Sequence, residues 1–342
     1  MTSPARARVP LGGTGIDISP IGLGCMGMSQ FYGTADRAES VRTIHAAIDA
    51  GIDFFDTSDF YGAGANSPGE PPAGFGHNES LLAEAFGGRR DEVVLATKFS
   101  ARKSADGETV FDGRPEYVAQ ACDASLRRLN TDRIDLYYYH RLDPQVPVED
   151  TVGAMAGLVA AGKVRAIGLS AVDARVLRRA AAVAPIAALQ SEYSLWERQI
   201  EDSVLPVCRE LGITVVPYSP LGRAALTGTF DAGTTFAKDD FRATLPKFSS
   251  DHFAHNLRLI DELKAFSAER GFAPGQIALA WLLAQPHDIA PIPGTKRVKY
   301  VRENAAATAV PLSADDVALL SRHFTPARVR GGQYGELDVK PH

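Results

Sequence analysis

Ile134-Asp135-Leu136-Tyr137-Tyr138-Tyr139-His140 leads, after a short loop, into the stretch Val148 to Ala161, which in turn leads to Ala166-Ile167-Gly168-Leu169-Ser170. The first and last segments are short, rich in β-branched or aromatic residues, and apolar on both faces, as parallel strands covered by helices are. The middle segment carries Val152, Met155, Leu158 and Val159 at helical spacing and stops at Gly162. Strand, helix and strand in this order make a βα unit, and the same grammar runs from Pro20 to Ala307.

Working outward, the other strand candidates are Ile21–Met28, Phe54–Ser58, Val93–Phe99, Ala188–Tyr193, Thr214–Pro217 and Ile289–Pro293, which brings the total to eight. Helical patterns cover Ala35–Ala50, Arg114–Leu129, Asp173–Ala182, Ile200–Leu211, Asn256–Arg270, Pro274–Ala284 and Lys296–Ala307. A last helix, Ser313–His323, opens on a Ser313/Asp316 cap. Eight alternating units predict an α/β fold, a (β/α)8 TIM barrel, over a single domain spanning residues 1–342. Val9 to Ile18 reads as a hairpin plugging the barrel bottom. The long segments Gly62–Gly76 and Leu221–Ala254 follow strands, so they belong to the catalytic face.

Composition fits a globular protein, with 45% hydrophobic and 23% charged residues and a net charge of −5. That balance points away from nucleic acid and anionic membranes. The N-terminal residues lack a signal-peptide core, and no apolar run reaches the ~18 residues of a membrane span. Cys25, Cys122 and Cys208 are odd in number and far apart, which suits a reducing cytoplasm. Monomer and homo-oligomer fit the sequence equally.

In a barrel, polar residues at strand C-termini are the candidates for chemistry. Asp56 ends the second strand and Tyr61 follows it, Lys98 ends the third, and His140 ends the fourth. Each alone has an ordinary reading: a cap, a rim residue, a snorkelling lysine, a structural histidine. Together they suit hydride reduction of a carbonyl, which creates an alkoxide needing a proton. A tyrosine with a pKa near 10 is poorly matched to neutral pH. A lysine ammonium ~4 Å away contributes roughly 4 kcal/mol at an effective dielectric near 20, favouring the phenolate. So Asp56 is expected to hold Lys98 charged, Lys98 to acidify Tyr61, and Tyr61 to protonate substrate. His140 is expected to orient the carbonyl through a hydrogen bond.

These four residues, in this order and context, resemble the Asp-Tyr-Lys-His tetrad of the aldo-keto reductases. The resemblance runs from about Pro10 to Ser321. Ile21-Gly22-Leu23-Gly24-Cys25-Met26-Gly27-Met28-Ser29 with Phe31-Tyr32-Gly33 is similar to the bacterial, yeast and plant branch of broad carbonyl, perakine and pyridoxal reductases. The resemblance implies NADPH as cofactor and a small-molecule carbonyl substrate. It implies that Ser170 and Gln190 bind the nicotinamide carboxamide and that Tyr218 stacks on the ring. Ser219, Leu221, Gly222 and Arg223 are expected along the pyrophosphate and ribose. Gly294, Thr295 and Lys296 are expected at the adenosine phosphate, and Glu303 and Asn304 at adenine. The same reading puts Asp56, Gly24, Cys25 and Met26 near the cofactor. Substrate pockets usually have apolar and aromatic walls, which suggests Tyr32, Phe60 and Trp196 beside Tyr61 and His140. Two departures stand out. Ala171 replaces the family's common Asn or Glu, and Gly62–His77 is longer than the expected turn.

Three other readings compete. Gly22-Leu23-Gly24-Cys25-Met26-Gly27 matches G-x-G-x-x-G, but the glycines lie within a strand candidate instead of opening a helix. His252 and His255 are three apart in an irregular polar stretch, which is weak for a metal site, and none is expected. A nucleotide-sensing barrel with a mainly regulatory role is the remaining alternative.

Overall fold

The computed structural model describes residues 8–64, 72–237 and 240–333. A hairpin comes first, with β1 (Val9–Pro10) antiparallel to β2 (Asp17–Ile18). Then follow β3 (Leu23–Gly24), α1 (Arg37–Asp49), β4 (Phe54–Asp56), α2 (His77–Phe86) and β5 (Val94–Phe99). A second hairpin of β6 (Ala101–Lys103) and β7 (Thr109–Phe111) precedes α3 (Pro115–Leu129), β8 (Ile134–Tyr139), α4 (Val148–Ala160) and β9 (Val164–Ser170). The remainder is α5 (Ala174–Ala181), β10 (Ala188–Glu192), α6 (Val204–Leu211), β11 (Thr214–Tyr218), α7 (Ser250–Arg270), α8 (Pro274–Leu283), α9 (Val298–Ala306) and α10 (Ala314–His323).

Seven strands form one parallel sheet in the order β3-β4-β5-β8-β9-β10-β11. The eighth expected strand, Ile289–Pro293, is no regular strand, yet it closes the barrel. Ala290 N–H and Ile292 N–H donate to the carbonyls of Val215 and Pro217, and the carbonyls of Pro291 and Pro293 accept from Gly22 and Gly24. Pro291 and Pro293 have no N–H to return, so the seam toward β3 is bonded in one direction only. The fold is therefore the expected (β/α)8 barrel with an irregular closing strand.

Period-two alternation divides the strand residues between two cores. Phe54, Val94, Ala96, Leu136, Tyr138, Ala166, Ala188 and Val216 point inward and pack with Val9, Leu11, Ile16 and Ile18 of the hairpin. Their neighbours Phe55, Leu95, Phe99, Tyr137, Leu169 and Val215 belong to the outer core with the helices. The hairpin thus plugs the barrel floor as expected. Gly12 is its tightest point: its φ is +54°, and a Cβ there would lie 2.8 Å from the backbone of Ala187. Gly12→Ala is expected to destabilise the fold by about 1–3 kcal/mol, read as a lower urea midpoint. An unchanged midpoint would show that the plug carries no stability.

Helix ends follow their signals. Asp36 caps α1, Pro115 starts α3, and Ser313 with Asp316 forms the capping box of α10. Val159, expected on the buried face of α4, is 38% exposed. α7 starts at Ser250, before the expected Asn256, so His252 and His255 lie on a helix and not in an irregular stretch. α2 was not expected at all. It starts after Gly76 at φ +78° with no side-chain cap, and polar Asn78 and Glu79 interrupt its buried face. The central part of the Gly62–Gly76 segment, residues 65–71, lies outside the described residues.

Candidate active site

The inward parity that builds the floor continues to the barrel mouth. Phe54 leads to Asp56, Ala96 to Lys98, Tyr138 to His140, Ala188 to Gln190 and Val216 to Tyr218. Lys98 is fully buried, and its three ammonium donors are used on Asp56 Oδ1 at 2.6 Å, the Thr57 carbonyl at 2.8 Å and Tyr61 Oη at 2.9 Å. Asp56 is fixed from its other side by Gln190 Nε2 at 2.7 Å. His140 stands edge-on to Tyr61, with ring centroids 5.9 Å apart. The structure therefore gathers the four expected residues at one spot.

The electrostatics differ in part from the sequence expectation. Burial pushes the Tyr61 phenol above its ordinary value, and the opposing charges of Lys98 and Arg141 do not overcome it. Burial works against the Lys98 ammonium, yet Asp56 and Tyr61 hold it above the usual lysine range. Burial raises the Asp56 carboxyl, opposed by Lys98 and Gln190. His140 is driven well below the usual histidine range by burial and by the charges of Arg141 and Lys98, so the ring is neutral at pH 7. Lys98 therefore limits the cost of burying a phenolate without making Tyr61 unusually acidic.

The residues expected at the cofactor fall into several groups. Ser170 and Gln190 are register partners on β9 and β10, and Ser170 Oγ accepts from Arg141 at 3.0 Å. Gln190 also supports Asp56, a role the sequence did not suggest. Tyr218 ends β11 half-buried. The following loop bends through left-handed backbone at Ser219, Gly222, Arg223 and Ala224 (φ 49°, 56°, 55° and 76°). Leu221 packs against the core, and the Arg223 guanidinium meets Glu192 at 3.2 Å and Tyr32 Oη at 3.3 Å. Gly24 bridges to Gly294 across the closing seam, and Cys25 is buried with its N–H on the Asp56 carbonyl. Met26 starts a short 3₁₀ turn. Lys296 Nζ donates to the carbonyls of Tyr32, Gly33 and Thr34 at 2.7, 2.6 and 2.8 Å. Thr295 Oγ1 accepts from Arg297 N–H just before α9, and Glu303 and Asn304 lie on that helix. α9 starts at Val298, two residues after the expected Lys296. Ala171 sits at φ +53°, a conformation that Asn tolerates better than Ala.

Of the substrate candidates, Phe60 is half-buried, packed edge-on to Phe75 at 6.5 Å, and Tyr32 is held by Arg223. Trp196 is more buried than the other candidates. It is 3% exposed, packs on Phe248, and abuts Gly222, where a Cβ would lie 2.6 Å from the indole nitrogen. Its bulk packs under the loop that follows β11. Several buried polar residues escaped the sequence reading. Asn78 ties Thr57 Oγ1, the Cys25 carbonyl and Ser29 Oγ together, and Glu79 takes Thr97 and Arg128. Ser58, Asp59 and Arg141 were also missed, although their signal was in plain view: a polar run directly after an apolar strand.

The fold is a parallel barrel with a buried lysine, carboxylate and phenol in contact at its mouth. The aldo/keto reductase family matches residues 20–324, and the chain belongs to that family, an oxidoreductase family. It is 42% identical over 333 residues to the Schizosaccharomyces pombe aldo-keto reductase yakc [NADP(+)], covering 95% of this chain and 94% of that one. Among solved structures it is similar to the glycerol dehydrogenase AKR11B4 of Gluconobacter oxydans, with TM-score 0.83, 28% identity, and 94% and 96% of the two chains covered. It is also similar to the holo form of the Bacillus halodurans aldo-keto reductase AKR11C1, with TM-score 0.74, 25% identity, and 93% and 96% covered. Among the described residues no helix is long and apolar enough to cross a membrane.

Proposed function

We propose that this chain binds NADPH across the barrel mouth and reduces aldehydes or ketones to alcohols, with Tyr61 as the proton donor. The observation that carries this reading is the contact of the buried Lys98 ammonium with both Tyr61 Oη and Asp56 Oδ1. The donor set suits the cofactor. Adjacent Ser170 and Gln190 suit a carboxamide, Tyr218 offers a ring face, and the left-handed residues concentrated in the 219–224 loop suit backbone held for a ligand. The S. pombe relative's printed name pairs the same family with NADP(+).

When bound, the nicotinamide supplies the hydride. The carbonyl oxygen then gains negative charge beside Tyr61 Oη and His140. Tyr61 gives up its proton, and Lys98 at 2.9 Å stabilises the phenolate left behind. Asp56 and Gln190 keep Lys98 aimed at Tyr61. Phe60 and Tyr32 are proposed to flank the substrate. The test is loss of NADPH absorbance with a panel of aldehydes and ketones. Turnover supports the reading, whereas tight NADPH binding with no turnover on any carbonyl would favour a nucleotide-sensing role.

Lys296 is proposed to meet the 2′-phosphate by exchanging one of its carbonyl partners for it. A lost charge-assisted hydrogen bond is worth about 1.5–3 kcal/mol. Lys296→Ala is therefore expected to raise the NADPH dissociation constant roughly ten- to hundredfold, and that for NADH far less. Equal effects on both would reduce Lys296 to a tether for the 32–34 loop.

A further inference from the structure

Ser58 and Asp59 lie just beyond β4, after Thr57, and are 0% and 1% exposed. Three groups converge on Ser58 Oγ: the Phe60 N–H at 3.2 Å, Asp59 Oδ1 at 3.3 Å, and His140 Nδ1 at 3.3 Å. A hydroxyl has one proton and two lone pairs. The Phe60 N–H occupies one lone pair. Of the two remaining contacts, Ser58 must donate one and accept the other.

If Asp59 is a carboxylate, it can only accept. Ser58 then donates to Asp59, and His140 must donate to Ser58 from Nδ1. A neutral ring has one N–H, so Nε2 would be a bare acceptor facing another acceptor, the substrate carbonyl. Turning the Ser58 proton toward His140 instead would leave a buried carboxylate against an oxygen lone pair, which is costly. If Asp59 is the acid, it donates to Ser58, Ser58 donates to Nδ1, and Nε2 keeps its proton for the substrate. His140 can donate to a carbonyl without penalty only in this second arrangement.

We propose that Asp59, carried as the neutral acid, and Ser58 are positioning residues that hold His140 in the Nε2–H tautomer. The surroundings favour the acid. Asp59 Oδ2 has no hydrogen-bond partner among the described residues. Burial first, and then the charge of Glu79 on α2, push its carboxyl well above the carboxylate range. Arg128 of α3, Ser58 and the Phe60 N–H oppose this, but Arg128 Nε is already committed to Glu79 at 2.6 Å. Among the described residues the phenols of Tyr117 on α3 and Tyr137 on β8 also face Asp59, and neither is cationic. Arg141 and Lys98, which face His140, favour a neutral ring and leave its tautomer to Ser58.

The inference builds on the proposed donor role of His140, but the tautomer can be read without turnover. Protein carrying ¹⁵N-labelled histidine and ¹³C-carboxyl aspartate reports both groups by NMR, with assignments from signals lost in His140→Asn and Asp59→Asn. At neutral pH the expected result is Nε2–H for His140 and a protonated carboxyl for Asp59. In Ser58→Ala the ring should become a tautomer mixture, with kcat about tenfold lower and KM little changed. An Nδ1–H ring or an ionised Asp59 in the wild type would overturn the proposal, and so would a pure Nε2–H ring in Ser58→Ala. Absence of carbonyl turnover alongside the expected spectra would instead count against the reductase reading alone.

Discussion

Tyr61→Phe is expected to lower kcat for carbonyl reduction about 10²- to 10⁴-fold, the span of a positioned general acid, while NADPH affinity changes little. The substitution removes one oxygen and leaves the ring where it packs against His140. It also deletes the 2.9 Å contact from Lys98 Nζ, whose bonds to Asp56 and Thr57 remain. The pH dependence follows from the direction of the Tyr61 shift. Burial raises the phenol, so the protonated form needed for reduction persists through neutral pH. The reduction rate should stay flat there and fall only in alkaline solution, as the phenol ionises. Alcohol oxidation needs the phenolate, so its rate should rise across the same alkaline range. Single-turnover kinetics on the wild type and Tyr61→Phe test this. A Phe variant retaining most of the wild-type rate would remove Tyr61 as the acid.

The barrel and the place of its candidate site are legible for one physical reason. Inward-facing strand residues alternate strictly, so the side chains that fill the floor and those that form the site share one parity. Asp56, Lys98 and His140 could therefore be read from strand ends. Other features depend on long-range partners, which local pattern does not carry. Gln190 was expected at the cofactor, but its 134-residue reach to Asp56 is a product of closure. The near-complete burial of Trp196 beneath Gly222 is likewise a product of the closed loop and is not visible in its aromatic type. α2 lacks a capping residue and buries polar side chains, so it carries neither the start signal nor the apolar stripe of a helix. The closing strand was found by its apolar residues, while its prolines made it irregular. The pairing of Ser58 with His140, 82 residues apart, appears only once β4 and β8 flank β5.

Lys98→Met is expected to remove both activity and stability, and the two losses should separate in a second variant. Among the described residues Lys98 supplies the only cation bonded to Asp56, at 2.6 Å, with both side chains almost fully buried. Breaking a buried pair by deleting one partner typically costs about 3–5 kcal/mol, because the remaining charge is left uncompensated. Asp56 would keep only the Gln190 amide, and burial already raises its carboxyl. In the Met variant its folded pKa should stand further above the unfolded one. The folded state then binds an extra proton, so stability is greatest at acidic pH and falls as pH rises through the folded pKa. The deficit against wild type should therefore be larger at pH 7 than near the unfolded pKa of ~4. Lys98→Met with Asp56→Asn carries no buried charge and keeps an acceptor for Gln190. It should recover much of the lost stability, while kcat stays low because nothing offsets the Tyr61 phenolate. Urea unfolding at two pH values beside NADPH turnover separates the alternatives. Full stability of Lys98→Met at pH 7 would mean that Asp56 is not a buried anion. Recovered turnover in the double variant would mean that Lys98 serves Asp56 alone and does nothing for the proton on Tyr61.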